Sequence, residues 1–497
     1  MLDVLIVGAG PTGLALAVDL ARRGVDARVV EKADALFPGS RGKGMQPRTL
    51  EVFHDLGVLD EVLAAGGPAP VGMVWSDGER QGEHDMFAAE SIESTPAEPY
   101  AGRPCMIPQW RTQEILLARL RELGGDVEFG RGLRGIEQDA DAVTATLDDG
   151  STVRARYAVA ADGGRSTVRR LLGIGMTGEE VDPAPTLVAD VRIDPAALDR
   201  DNWHFFPASP DGVLTLCPLP GTTDFQLMAQ FKEGAAGTSP DGAPDTSPDG
   251  VRKLIAARTH LSADDVTEIR WSSDFRPRAA LADRFRAGRV FLAGDAAHVH
   301  SPAGGQGLNT SVQDAYNLGW KLGQVLHGRC PDTLLDTYEE ERRPLAAGML
   351  GLSTRIHRGE QSRGRATQQL GLGYRDSSLS SGAAGALRAG DRAPDGVVDG
   401  IRLFDLFRGP HFTLLAVDTE LPAPDGADGL LRTARIGSYE AYGRGLFLVR
   451  PDGYIGWADS AGPADPAGPA NSAPAALEQI RTKFGCTGAP RPDLTRC

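Results

Sequence analysis

The sequence predicts an α/β domain built on a parallel sheet, interleaved with an antiparallel β-sheet domain (α+β) and followed by a smaller C-terminal domain. Three observations predict it. Residues 2–31 alternate strand-like and helix-like texture around a glycine-rich turn, as one βαβ unit does. From Pro183 to about Trp271 the apolar period falls to two, the mark of an antiparallel sheet half exposed on one face. After Arg289 a buried-strand pattern returns, so the second domain is inserted into the first.

In chain order, Leu2–Val7 is a short apolar run and Gly8–Gly13 a turn. Leu14–Arg23 has helical periodicity that Gly24 stops, and Ala27–Val30 is the second strand. Asp126–Phe129 and the alternation over Ala142–Leu147 predict further strands, and Ser151–Ala160 leads into the Asp162-Gly163 turn. Residues 1–182 thus form the first part of the α/β domain, with 70–105 contributing to the sheet domain, which itself spans 183–275. Within that span 234–250, rich in Gly, Pro, Ser and Asp, read as a loop. The α/β domain resumes over 276–356, with a strand at Arg289–Ala293, a glycine-rich loop and a helix from about Asn309. A Gly-, Ser- and Arg-rich stretch, 357–390, reads as a linker with a helical piece. The tail, 391–497, shows strands at Phe412–Val417 and Gly445–Val449.

Composition removes several function classes. A chain of 497 residues has room for two or three domains with buried cores. A formal net charge of −15 argues against a nucleic-acid partner and against anionic lipid. No apolar run approaches a membrane span, and the N-terminus lacks the basic start and cleavage site of a signal peptide. The five cysteines are scattered and form no C-x-x-C pair, so neither a disulfide framework nor a zinc site is expected, and the compartment read from them is a reducing cytoplasm. His298 and His300 share a face on an extended segment, but no third ligand accompanies them, so no metal is expected.

Three motifs carry chemistry. In Gly8-Ala9-Gly10-Pro11-Thr12-Gly13, Gly8 permits a tight turn, Gly10 lets a pyrophosphate approach the backbone, and Gly13 lets helix and strand pack closely. The helix start offers unpaired N–H groups to phosphate, and Glu31, closing the second strand, is placed to accept from ribose hydroxyls. This is a Rossmann-type dinucleotide fingerprint. The second motif runs from Gly294-Asp295 through Pro302, Gly305 and Gly307 to Leu308 and Asn309. Asp295 ends a strand where a carboxylate can accept a ribityl hydroxyl. The glycines admit a flat ring, and the helix start faces the N1–O2 edge of an isoalloxazine, where negative charge gathers on reduction. The third, Ala161-Asp162-Gly163-Gly164-Arg165-Ser166, is another strand-to-helix turn.

In this order the motifs resemble those of the class A flavoprotein monooxygenases, the family of para-hydroxybenzoate hydroxylase, over roughly residues 1–350. Within it the chain is most similar to bacterial aromatic polyketide hydroxylases and rifampicin monooxygenases. Ser40-Arg41-Gly42-Lys43-Gly44-Met45-Gln46-Pro47-Arg48 and Ile107-Pro108-Gln109 fit as well. The resemblance implies non-covalent FAD, with Thr12, Lys32, Arg41, Gln109 and Leu133 among its contacts and Asp162 serving both FAD and NADPH or NADH. It also implies that the tail is a thioredoxin-like domain, through Gly390–Asp395 and Leu448–Gly453. Without C-x-x-C such a domain has no dithiol chemistry.

The implied reaction takes hydride from NAD(P)H onto the flavin and adds O2 to give a C4a-hydroperoxide. One oxygen then passes to a phenolic or polycyclic aromatic small molecule beside Pro302 and Gly305. No catalytic acid–base residue announces itself, and such chemistry does not require one. Baeyer–Villiger or epoxidising oxygenation on the same scaffold is the alternative, and a non-catalytic flavin-dependent drug-binding protein a further one. For the substrate pocket the sequence offers Phe206, Gln226 and Met228, with Trp203, His204 and Phe205 beside them. Either face of Phe225–Phe231 could be the buried one. Monomer and homodimer both remain open.

Overall fold

Strand Leu2–Val7 lies near the centre of a sheet ordered Arg286–Ala287, Val290–Leu292, Thr152–Ala160, Leu2–Val7, Ala27–Val30, Val127–Glu128. From Val290–Leu292 through Val127–Glu128 every neighbouring pair is parallel. Parallel sheets are covered on both faces, which is why these strands read as unbroken apolar runs; Val4, Leu5 and Ile6 are essentially inaccessible. This computed structural model describes residues 1–182, 184–232, 243–421, 430–460 and 484.

Helix Pro11–Ala21 starts with proline in its first turn, where a missing N–H removes nothing, and has no capping side chain. It packs against helix Gly307–Leu326, and the fit is tight: a Cβ on Gly319 would stand 2.2 Å from Asp19 Oδ2. The latter helix begins at Gly307, two residues before the expected Asn309.

The inserted sheet is ordered Val266–Phe275, Thr186–Ile193, Asp224–Gln230, Leu214–Pro218, Asn202–Phe206, Val71–Ser76, Glu79–His84. Residues 71–84 therefore join it from a separate stretch of chain. Asn202–Phe206 pairs with Val71–Ser76 in parallel, so the sheet is mixed rather than purely antiparallel. No hairpin dictates the direction of a strand that arrives from so far away in sequence.

Side chains alternate across the sheet, and the structure resolves the open choice of face. Phe225, Leu227, Ala229 and Phe231 lie in a core with Leu187, Val191, Leu214 and Leu216, sealed by Val251 and Ile255 of helix Pro248–Arg258. Gln226, Met228 and Gln230 take the other face. The helix shortens the expected 234–250 loop: Ser247 caps it through Gly250 N–H at 3.1 Å and Pro248 opens it. A Ser-Pro-Asp-Gly stretch reads as a turn although it is also a good helix start. Residues 234–242 of that reading lie outside the described residues.

The third sheet runs Leu387–Arg388, Ser381–Ala384, Ile455–Asp459, Gly445–Val449, Phe412–Val417, Leu431–Ile436. It begins before 391, inside the stretch read as a linker. The rest of that stretch is packed as well. Gln369 Nε2 donates to Gln306 Oε1 at 2.6 Å, and Gln368 Nε2 donates to Glu90 O at 3.0 Å. Polar composition suggested a tether, but these amides find partners inside, which composition alone cannot show.

No helix among the described residues is long and apolar enough to cross a membrane. Cys105 and Cys217 are buried free thiols, whereas Cys330 is disulfide-bonded, correcting the expectation of no disulfide. Spacing reveals C-x-x-C pairs and says nothing of a single bridge. Cys486 and Cys497 lie outside the described residues.

Candidate functional site

Three parallel strands end side by side, each delivering one motif. Ala161 N–H donates to Val7 O at 2.8 Å and Ala293 N–H to Ala160 O at 2.9 Å, which stitches the ends carrying Gly8, Asp162 and Asp295 together. Gly8 has φ +107°, and a Cβ there would stand 2.4 Å from Ala161 O, so only glycine serves. A Cβ on Gly10 would meet nothing within 4 Å, leaving open space before the uncapped start of helix Pro11–Ala21. That combination is a cradle for phosphate.

Around this turn, Glu31 accepts from Ala9 N–H at 2.9 Å and from Ala33 N–H at 3.0 Å, with lone pairs left for a ligand hydroxyl. Lys32 is exposed beside it. Asp162 Oδ2 caps the helix at Thr167 N–H, 2.7 Å away, while its Oδ1 is buried without a partner. An orphaned carboxylate oxygen at a strand end is what an absent hydrogen-bond donor leaves behind. Asp295 is exposed to solvent yet flanked by protein, as a group lining a cleft is. That enclosure raises its pKa, against the opposing pull of His298 and Arg41.

Other expected contacts are held by the protein itself. Thr12 and Leu133 are buried, Thr12 against Gly294, where a Cβ would stand 2.5 Å from its hydroxyl. Gln109 Oε1 accepts from Gly42 N–H at 2.9 Å. The Asn309 side chain accepts from Gln46 N–H and Thr49 Oγ1 and donates to Gly44 O and Gly305 O, so it straps the loop down. Its backbone and that of Gly307 and Leu308 still form an uncapped helix start beside Pro302 and Gly305. Gly13 serves packing: its Cβ would strike Gly8 O at 2.0 Å.

His298 and His300 stiffen this loop. His298 pairs with Asp314 at 2.5 Å, Asp314 with Arg342 at 2.7 Å, and Gly294 N–H donates to the same carboxylate at 3.0 Å. Although burial would raise it, His298 and Arg342 hold the Asp314 pKa at about 2.

The loop Ser40–Gln46 bridges to the inserted sheet. Arg41 stacks on Phe37 and Trp271 and donates to Ser273 at 3.2 Å. Gln226 donates to Ser40 O and accepts from Lys43 Nζ. Lys43 lies 4.4 Å from the Trp203 ring centroid, Trp203 adjoins Phe87, and Arg363 lies over Phe87 at 4.8 Å. A Cβ on Gly305 would stand 3.6 Å from Arg363. These groups ring the space between the flavin-type loop and the sheet. Gln226 and Met228 belong to that face. Phe206 and His204 do not: Phe206 is buried in the opposite core and stacks on Trp75 at 5.9 Å, and His204 Nδ1 accepts from Trp75 Nε1 at 3.0 Å on the same side. Residues 203 and 205 face the cleft, so 206 cannot, by simple alternation.

The residues therefore fit a dinucleotide with a flat ring, and the comparisons agree. A model described as "FAD binding domain" matches residues 1–353, and one described as "Aromatic-ring hydroxylase, C-terminal" matches 387–482. The chain is 46% identical over 481 residues to a flavin-dependent monooxygenase of Mycobacteroides abscessus, covering 93% of this chain and 98% of that one. This chain belongs to the flavin-dependent monooxygenases. It is also 38% identical over 360 residues to rifampicin monooxygenase of Rhodococcus hoagii, covering 70% of each chain. Among solved structures it is similar to aklavinone-11 hydroxylase, crystallised with FAD and aklavinone: TM-score 0.81, 31% identity, 97% of this chain and 99% of that one.

For a monooxygenase of this family, sequence reasoning quoted Lys43 only as part of a motif and missed Asp190. Asp190 stands in Thr186–Ile193, on the face of Gln226, and is 1% exposed. Its signal was present: one acid inside the otherwise apolar run Leu187-Val188-Ala189-Asp190-Val191.

Proposed function

We propose that this flavin-dependent monooxygenase hydroxylates a phenolic ring of a multi-ring small molecule, using FAD, NAD(P)H and O2. Bound FAD, reduced by the nicotinamide cofactor, supplies the activated oxygen. The residues of this chain bind, orient and enclose. Gly8, Gly10 and the helix start behind them take the pyrophosphate, Glu31 the ribose, and Asp162 and Asp295 hydroxyls along the chain to the ring. The uncapped start of helix Gly307–Leu326 receives the ring edge that gains charge on reduction. The thioredoxin-like tail serves structure, since its described strands pack on helix Gly307–Leu326, where Trp320 meets Phe412 edge to face at 5.7 Å.

One observation carries this reading. The three cofactor motifs converge at neighbouring strand ends, and the loop Ser40–Gln46 ties that site to a sheet face carrying Trp203, Phe205, Met228 and Gln226, aromatic and soft surface with polar points. Substrates named for relatives, rifampicin and aklavinone, are multi-ring phenols, and an aromatic face suits such rings. The test is a panel of polycyclic phenols assayed for stimulated NADPH and NADH oxidation under 18O2. One labelled oxygen in a hydroxylated product supports the reading. Stimulated oxidation that yields only hydrogen peroxide with every phenol overturns it.

A further inference from the structure

Lys43 is half-buried, and desolvation by the surrounding protein lowers its pKa, with Cys217 and Asp190 opposing and Arg363 assisting. The residue keeps partial access to water and stands among the groups that ring the space between Gly305 and the sheet. Its partners are weak for a full charge. Gln226 Oε1 accepts one hydrogen bond, and the Trp203 indole supplies a ring face at 4.4 Å. An ammonium has three donors, and among the described residues no carboxylate lies within ion-pair distance of this one. Lys321 shows the contrasting treatment in the same protein: it is buried with Glu341 at 2.7 Å and Asn317 at 2.9 Å. A half-buried, unpaired ammonium facing a cleft is a site for an anion brought by a ligand.

The second observation lies on the neighbouring strand. Neither oxygen of the Asp190 carboxyl makes a hydrogen bond of good geometry, although the residue is 1% exposed; the Ser40 hydroxyl, itself without another partner, is close enough to act on it as a donor. Asp190 and Gln226 are direct partners across the strand ladder, so this carboxyl stands beside the amide that holds Lys43. Burial pushes its pKa up to about 7; Asp224 adds to the rise, while Ser40, Lys43 and Arg270 oppose it. Cys217, the other partner of Gln226, is pushed by burial to about 11 and stays a thiol near neutral pH.

We propose that Lys43 binds an ionised oxygen of the substrate, a phenolate or an enolate, and that Asp190 takes up the proton this oxygen loses. The O–H bond breaks, its electron pair remains on the substrate oxygen against the Lys43 ammonium, and the proton becomes the acid proton of Asp190. The charge left on that oxygen enriches the ring carbons ortho and para to it, which are the ones a phenol presents to an electrophilic oxygen. The site therefore selects multi-ring molecules carrying an acidic hydroxyl over their ethers. This rests on the hydroxylation reading for its purpose, but the binding site can be tested without turnover.

The probe is quinizarin (1,4-dihydroxyanthraquinone), orange when neutral and violet when ionised, with 1,4-dimethoxyanthraquinone as the non-acidic control. Both are titrated at pH 7.5 into the FAD-loaded protein and its Lys43→Met, Lys43→Arg and Asp190→Asn variants, each checked for retained FAD. The expected result is violet bound dye in the wild type and in Lys43→Arg, with a preference over the ether of about tenfold or more. Lys43→Met should bind the dye orange and lose the preference. Titration calorimetry in two buffers should show about one more proton released per dye by Asp190→Asn than by the wild type. Orange dye in the wild type, violet dye in Lys43→Met, equal proton release in the two proteins, or no binding of quinizarin each overturns the proposal. If quinizarin binds as expected but no phenol is hydroxylated, the anion site stands and the hydroxylation reading falls.

Discussion

Glu341 and Lys43 both stand where the cofactor domain meets another sheet, and they are surrounded in opposite ways. Glu341 accepts from Arg450 at 2.6 and 2.9 Å, from Lys321 and Asn317 at 2.7 Å, and from Ser377 at 2.7 Å. Asp452 completes the set by pairing with Arg450 and accepting from Trp320 Nε1 at 3.0 Å. Despite burial, the cations hold the Glu341 carboxyl well below the usual carboxylate range. At the other junction, among the described residues no carboxylate stands within ion-pair distance of Lys43, and Asp190, Ser40 and Trp203 keep buried polar atoms without a well-formed hydrogen bond. The first junction is chemically closed and joins the third sheet to helix Gly307–Leu326. The second is open, and what would close it is a ligand. Buried charge fixes geometry where every partner is in place, and it marks a binding site where partners are missing.

The largest effect that would sharpen this contrast is on stability. Glu341→Ala leaves Lys321 buried without its anion and Arg450 with Asp452 alone, and should cost about 3–5 kcal/mol in urea unfolding of the FAD-loaded protein. Lys43→Met removes an ammonium that has no anion to lose, and should change stability by less than about 1 kcal/mol, in either direction. Equal losses in the two variants would erase the distinction between a closed and an open junction.

A smaller effect belongs to the cofactor side of the open junction. Asp295 lines the cleft at the end of Val290–Leu292 with no ion pair of its own among the described residues, and Arg41 is the arginine whose charge acts on it. Removing one charge-assisted hydrogen bond to FAD should weaken binding by roughly ten- to a hundredfold. Equilibrium dialysis of apoprotein against FAD measures this directly. Asp295→Ala with wild-type affinity would remove Asp295 from the cofactor contacts.

What the sequence disclosed follows the same division. Strands Leu2–Val7, Ala27–Val30, Phe412–Val417 and Gly445–Val449 were legible to the residue, because short apolar runs bounded by Gly or Pro leave little freedom. The glycine turn and Asp162 and Asp295 were legible because backbone geometry forces residue type at strand ends. Tertiary pairings were not legible. Phe206 read as a pocket residue because clustered aromatics carry no sign of face until a strand's partner is known. The stretch 357–390 read as a linker because Gln368 and Gln369 look soluble until Glu90 and Gln306 are brought to them. Asp190 lay unnoticed inside an apolar run, although a lone acid there demands either a partner or a purpose.

Asp190 allows the finest test, because its predicted signature lies in how stability varies with pH. In an unfolded chain an aspartate releases its proton near pH ~3.9; in the folded protein burial raises this one to about 7. Below both values folded and unfolded chains hold the proton alike. Between them only the folded chain holds it, so stability falls as pH rises through that window, and above about pH 7 the loss is complete and constant. Asparagine is neutral throughout and removes this slope. Other titrating groups are shared by the two proteins and largely cancel in the difference. The stability of Asp190→Asn relative to wild type should therefore rise by about 1–2 kcal/mol between pH 5 and pH 8, less than the full shift implies because local relaxation and water soften buried charge. Urea unfolding at matched ionic strength across that range measures it. A flat difference would mean Asp190 is ionised in the folded protein from pH 5 upward. It would then be a countercharge to Lys43 rather than a proton acceptor, and the open junction would be closed after all.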